Sequence, residues 1–118
     1  MLFVILFSDP GKYNTATSEN SFVFSLKNND NLEPFKASMY STRNNLAIYN
    51  NFVYGPTFGY GHDFYISDNA NSTSVSYTSL GYTYKLPAGY TRGTANTRAL
   101  LAGSNHFTPS EVEVFYLQ

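Results

Sequence analysis

Aromatic side chains set two residues apart, in short runs that end at asparagine or glycine, restrict this chain to a fold built of strands. The plainest run is Ser21 to Lys27, where Phe22, Phe24 and Leu26 fall on one face and Val23 and Ser25 on the other. Side chains alternate across a strand with a period of two, whereas a helix repeats every 3.6 residues. Asn28-Asn29-Asp30-Asn31 closes the run, since all of these residues tolerate turn conformations. The same rings dominate the chain as a whole, with 11 Tyr, 10 Phe and no Trp in 118 residues. Tyr and Phe favour pleated, half-buried surfaces and withdraw large areas from water. A mostly β domain follows.

The remaining elements are shorter. Met1 to Phe7 is continuously apolar and reads as a buried strand closed by Asp9-Pro10-Gly11, with a targeting remnant as the alternative. It is far shorter than the ~20 apolar residues that span a bilayer, so membrane insertion is not expected. Lys12 to Asn20 is polar and reads as a loop. Leu46 to Tyr49 and Phe64 to Ser67 read as strands, and Asp68 to Ser72 as a turn. Ser74 to Tyr77 and Gly81 to Tyr84 are suited to pair as a hairpin. Thr94 to Ala102 carries the one helix signal, with Thr94 placed as its N-cap and Gly103 as its stop. Glu111 to Leu117 is largely apolar on both faces and reads as a central strand.

Charge and cysteine usage exclude several functions. Seven basic and eight acidic residues leave a net charge of -1, and no cluster of Lys and Arg supplies the footprint of a nucleic-acid binder. No basic amphipathic stretch points to a membrane surface. The chain has no Cys, hence no disulfide scaffold and no thiolate metal site, which fits a reducing, cytoplasmic location.

The motifs that could carry chemistry are incomplete. Gly59-Tyr60-Gly61 is half of a dinucleotide fingerprint, but Phe64 stands at the third glycine and no βαβ unit surrounds it. Asp68 to Ser72 resembles the start of a calcium loop, yet Ala70 and Thr73 occupy positions that need an oxygen ligand and a glycine. His62 and His106 lack zinc-site spacing, and no Gly-x-Ser-x-Gly elbow supports a nucleophile. Glu111 and Glu113 share a strand face and could divide acid and base work, but their surroundings are apolar. Asn71-Ser72-Thr73 fits a glycosylation sequon with nothing secretory beside it. No cofactor and no catalytic residue is therefore expected. An enzyme using His62 or Glu113 is the remote alternative.

Three blocks, taken together, resemble the C-terminal part of a TLDc domain, the module of oxidation-resistance and BTB–TLDc proteins. They are Ser21 to Asn28; Ala47-Ile48-Tyr49 followed by Tyr54 to Ile66; and Phe107 to Phe115. Gly-Pro-x-Phe-Gly, then Asp-x-x-Ile, then Glu-Val-aromatic is specific as a series, and each piece alone is weak. The resemblance covers about residues 11–118, with residues 1–10 as an apolar strand or a truncation remnant. It implies a sandwich of two antiparallel sheets with one or two short helices. It also implies a non-enzymatic protein-binding role, linked to oxidative-stress resistance and to the vacuolar-type proton-pumping ATPase. The alternative is an accessory module of a BTB–TLDc adaptor. Gly55, Phe58, Gly59, Asp63 and Glu113 match the family signature. The family's tryptophan-bearing N-terminal stretch has no counterpart. The sandwich is therefore expected to lack N-terminal strands, and the chain to be marginally stable or to associate.

Overall fold

The computed structural model describes residues 14–16, 21–28, 30–51 and 53–113. Its strands are β1 (Asn14–Ala16), β2 (Phe22–Ser25), β3 (Phe35–Ser38), β4 (Ile48–Asn50), β5 (Thr57–Phe58), β6 (Phe64–Tyr65), β7 (Ser76–Thr78) and β8 (His106–Phe107). A 3-10 helix, Ser41–Leu46, joins β3 to β4, and a short helix α1 (Ala95–Ala99) precedes β8. A six-stranded sheet runs in the order β1-β4-β5-β6-β7-β8, and β2 and β3 form a second sheet. Every strand pair is antiparallel. The architecture is thus the expected one, mostly β with two antiparallel sheets.

Cross-strand register sorts the rings into two layers. Ile48, Phe58, Phe64 and Thr78 stand opposite one another across β4 to β7. All four are buried, and the three apolar ones enter one core with Val23 and Ala37 of the small sheet, with Met39 just past β3, and with Leu80, Tyr84 and Leu101. Fully burying a ring such as Phe58 or Phe64 contributes roughly 1.5–3 kcal/mol. The next row across the same sheet, Thr57, Tyr65, Tyr77 and His106, faces the opposite way. In β2 the alternation holds, and the core takes the smaller side chains. Val23 and Ser25 are buried, while Phe22 and Phe24 are half-buried and the Lys36 ammonium sits 4.1 Å above the Phe22 ring.

Local turn chemistry follows the sequence. Asn28 closes the β2–β3 connection by donating its side-chain amide to the Leu32 carbonyl at 3.1 Å and accepting the Leu32 N–H at 2.9 Å. Thr94 caps α1, its hydroxyl accepting the Thr97 N–H at 3.3 Å, and Gly103, at φ 84°, donates to the Ala99 carbonyl at 2.7 Å. Among the described residues no helix is long and apolar enough to cross a membrane.

Several expectations are corrected. Part of the Lys12–Asn20 loop is strand β1, drawn into the sheet by pairing with β4. Leu46 ends the 3-10 helix, a turn with no distinct sequence signal, so β4 starts at Ile48. The Ser74–Tyr77 and Gly81–Tyr84 segments do not form a hairpin. β7 pairs with β6 and β8, while the amides of residues 81–84 are taken by a side chain instead of a neighbouring strand. Among the described residues the last strand of the sheet is β8, and the part of the expected Glu111–Leu117 strand that is described, Glu111 to Glu113, is not in a strand. Glu111, Val112 and Glu113 are exposed and unpaired in any ladder, beyond Pro109, which has no N–H to donate to one. Met1 to Phe7 and Val114 to Leu117 lie outside the described residues.

Candidate functional site

The β5–β6 connection, Gly59 to Asp63, turns on two residues in the left-handed region, Gly59 at φ 80° and His62 at φ 52°. Glycine reaches that region without strain. Space decides the matter further, because a Cβ on Gly59 would stand 2.2 Å from Asp63 Oδ1. The Gly59 N–H donates to the Ala47 carbonyl at 2.8 Å, and its carbonyl accepts the His62 N–H at 3.0 Å. Gly55 is closed in similarly, since a Cβ there would meet the Ile66 carbonyl oxygen at 2.4 Å. Phe58, beside Gly59, is core.

This turn delivers Asp63 to the interior, where it is 0% exposed. Its Oδ2 accepts four successive backbone N–H groups: Gly81 and Tyr82 at 2.9 Å, Thr83 at 3.0 Å and Tyr84 at 3.2 Å. Oδ1 also receives Thr83 at 3.0 Å. Convergent amides form a nest for negative charge, and buried donors must find an acceptor. Here the chain supplies that acceptor itself. Thr83 returns the contact by accepting the Tyr60 N–H on its hydroxyl at 3.2 Å. The Tyr84 hydroxyl donates to the Ala47 carbonyl at 2.8 Å. Burial pushes the Asp63 carboxyl above its ordinary value, against the pull of its amide donors. Burial, and then the Asp63 charge, push the Tyr84 phenol far upward. The carboxylate has no free lone pair aimed at solvent, so its work is to fix the loop at residues 81–84.

Above that scaffold, the other face of the six-stranded sheet carries a run of aromatic rings, with Tyr65 buried and Tyr49, His62 and Tyr77 half-buried. Tyr65 and Tyr77 pair across β6 and β7 with ring centroids 5.3 Å apart, and Tyr77 meets His106 at 5.8 Å. His62 sits among four tyrosines, 5.1 Å from Tyr49, 5.3 Å from Tyr54, 6.0 Å from Tyr77 and 6.1 Å from Tyr65. Its Nδ1 lies 2.7 Å from the Tyr77 hydroxyl. Partial burial lowers the His62 imidazole below its ordinary value, and the Asp63 charge opposes that. Tyr54 and Tyr60 stand at the margin, 36% and 54% exposed. Such rings offer apolar area with a hydrogen-bonding tip, at little cost in side-chain entropy.

Of the five residues singled out from the sequence, Phe58, Gly59 and Asp63 meet in the β5–β6 connection and its flanking strand, and Gly55 lies two residues ahead of β5, against the Ile66 carbonyl just past β6. Glu113 does not join them; it is exposed, beyond β8, and no hydrogen bond ties it to them. His62 lies among tyrosines, with no carboxylate bonded to its ring among the described residues, and Glu111 and Glu113 are exposed. Among the described residues no three His, Cys, Asp or Glu side chains gather closely enough to hold a metal ion. The tyrosine face escaped sequence reasoning. Tyr49, Tyr65 and Tyr77 each follow or precede a core residue by one position, which was the available signal, but Tyr54 and His62 reach the face from loops.

A family model described as TLDc domain matches residues 6–118. No curated protein and no solved structure gives a match.

Proposed function

The chain belongs to the TLDc domain family, and we propose that it is a non-enzymatic module that binds a protein partner through the tyrosine face of its six-stranded sheet. The observation that carries this reading is the run of rings from Tyr60 through Tyr49, Tyr54 and His62 to Tyr77, outside the hydrophobic core, with Tyr54 and Tyr60 exposed and the other three half-buried. Tyrosine is enriched at the energetic centres of protein interfaces because it buries much area while keeping a polar tip. The favoured partner is the vacuolar-type proton-pumping ATPase, in the cytoplasm and in the setting of oxidative-stress resistance. That finer reading rests on family membership, and the binding class rests on the face.

The test is capture of pump subunits by the immobilised chain. Tyr54→Ala combined with Tyr60→Ala changes two exposed rings and leaves the core alone. The pair is expected to weaken capture by about tenfold or more, each truncation being worth about 1–2 kcal/mol. Leu26→Ala, at an exposed position beside the small sheet, is expected to change nothing. Capture that survives the tyrosine pair but fails with Leu26→Ala would place binding on the other sheet.

A further inference from the structure

At one end the tyrosine face carries a charged feature that the sequence spacing does not announce. Tyr82 is held on both sides of its peptide unit. Its N–H donates to Asp63 at 2.9 Å, and its carbonyl accepts from the Arg43 guanidinium. Its ring packs against the Gly61 backbone, where a Cβ would come within 2.8 Å of Tyr82 Cγ. Two guanidinium groups lie on that fixed ring, Arg43 at 4.3 Å and Arg92 at 4.9 Å from its centroid. Arg43 is also 5.5 Å from the Tyr40 ring. Tyr60, 6.3 Å from Tyr82 and 6.4 Å from Tyr49, joins this group to the tyrosine face. Neither arginine has a carboxylate partner among the described residues.

Two like charges gathered on one ring repel each other, and ring attraction offsets only part of that. An anion within reach of both offsets that repulsion. A guanidinium carries five donors in a planar fork that suits a bidentate anion, and the Tyr82 carbonyl takes only one side of the Arg43 fork. We propose that Arg43 and Arg92, arrayed on Tyr82, form a subsite for an aspartate or glutamate side chain of the protein partner. The inference rests on the tyrosine face being the binding surface, and it names the chemistry the partner brings to its edge. Two arginines match one carboxylate. They fall short of the several phosphate contacts that hold nucleic acid and of the four to eight basic residues, roughly, that hold an anionic membrane.

The test titrates the isotope-labelled chain at low salt with hexaglutamate, following the Arg43 and Arg92 side-chain Nε–H resonances. Oligothymidylate and phosphatidylserine–phosphatidylcholine vesicles are run in parallel. Hexaglutamate is expected to shift both resonances. Arg92→Glu, at an exposed position that needs no repacking, is expected to weaken binding by about tenfold or more, and Arg92→Lys by about threefold, the charge being kept and the fork lost. Unmoved resonances, wild-type affinity in Arg92→Glu, or tighter binding of oligothymidylate or vesicles would overturn the subsite. Failure of the wild-type chain to capture pump subunits while hexaglutamate still binds refutes the partner named above and leaves the subsite standing.

Discussion

Replacing Asp63 separates two roles that its carboxylate combines, that of acceptor and that of charge. In Asp63→Ala the amides of residues 81–84 lose their acceptor together. Thr83 and Tyr84 are 0% exposed, so their N–H groups cannot turn to water, whereas Gly81 and Tyr82 are half-buried and can rehydrate. An orphaned buried donor costs about 1–3 kcal/mol. Two such donors near the middle of that range, with a smaller loss at the other two, give about 4–5 kcal/mol. A domain of this kind has about 5–15 kcal/mol in total. Asp63→Asn retains one oxygen, which can occupy the Oδ2 position with its four donors. It places an NH2 where Oδ1 meets Thr83 N–H, a cost of about 1–2 kcal/mol. The expected order is therefore Asp, Asn, Ala, with the last step at least about 2 kcal/mol. Urea unfolding followed by circular dichroism measures it, provided the slopes agree. Equal midpoints for Asn and Ala would refute the claim that amide satisfaction dominates. pH adds a sign. Because burial raises the Asp63 carboxyl, its favourable contribution is complete below its ordinary value of 3.8 and is lost as pH rises through the raised value. The lead of wild type over Asp63→Asn, which does not titrate there, should accordingly narrow with increasing pH.

Other substitutions probe separate parts of the same reasoning. Gly59→Ala forces a Cβ to φ 80° and to within 2.2 Å of Asp63 Oδ1, so a loss of about 2–4 kcal/mol is expected; a midpoint within error of wild type would show that the turn relaxes freely. Among the described residues the buried Ser25 hydroxyl has no hydrogen-bond partner, and Ser25→Ala is expected to raise the thermal midpoint, by about 1 kcal/mol in stability. The His62 imidazole, lowered by burial, should titrate below 6.5 in an NMR pH series. Its contribution to stability is present above 6.5 and is lost as pH falls through the lowered value, a slope that His62→Asn should remove while tolerating φ 52°.

How much of this was legible beforehand depends on the range of the interaction. Turn chemistry was legible where one residue and its near neighbours suffice. Asn28 bonding Leu32, Thr94 capping Thr97 and Gly103 ending the helix each span at most four residues. Alternation in β2 was equally plain, but not which face would turn inward, since the core accepted Val23 and Ser25 and left Phe22 and Phe24 half outside. The hairpin expected at residues 74–84 failed because Asp63, 18 to 21 residues away, captured the amides that the ladder needed. Glu111 to Glu113 had a strand's alternation but stand exposed and outside any described strand.

The amino-acid order alone thus set the β class and the turns, because period-two patterning and positive-φ preferences are properties of adjacent residues. Tertiary structure decided the rest. It made Asp63 an internal acceptor, gathered Tyr49, Tyr54, Tyr65 and Tyr77 around His62, and brought Arg43 and Arg92 to Tyr82. Those groupings arise from strand register and from competition among distant donors for one acceptor, and neither is encoded within any single stretch of the chain.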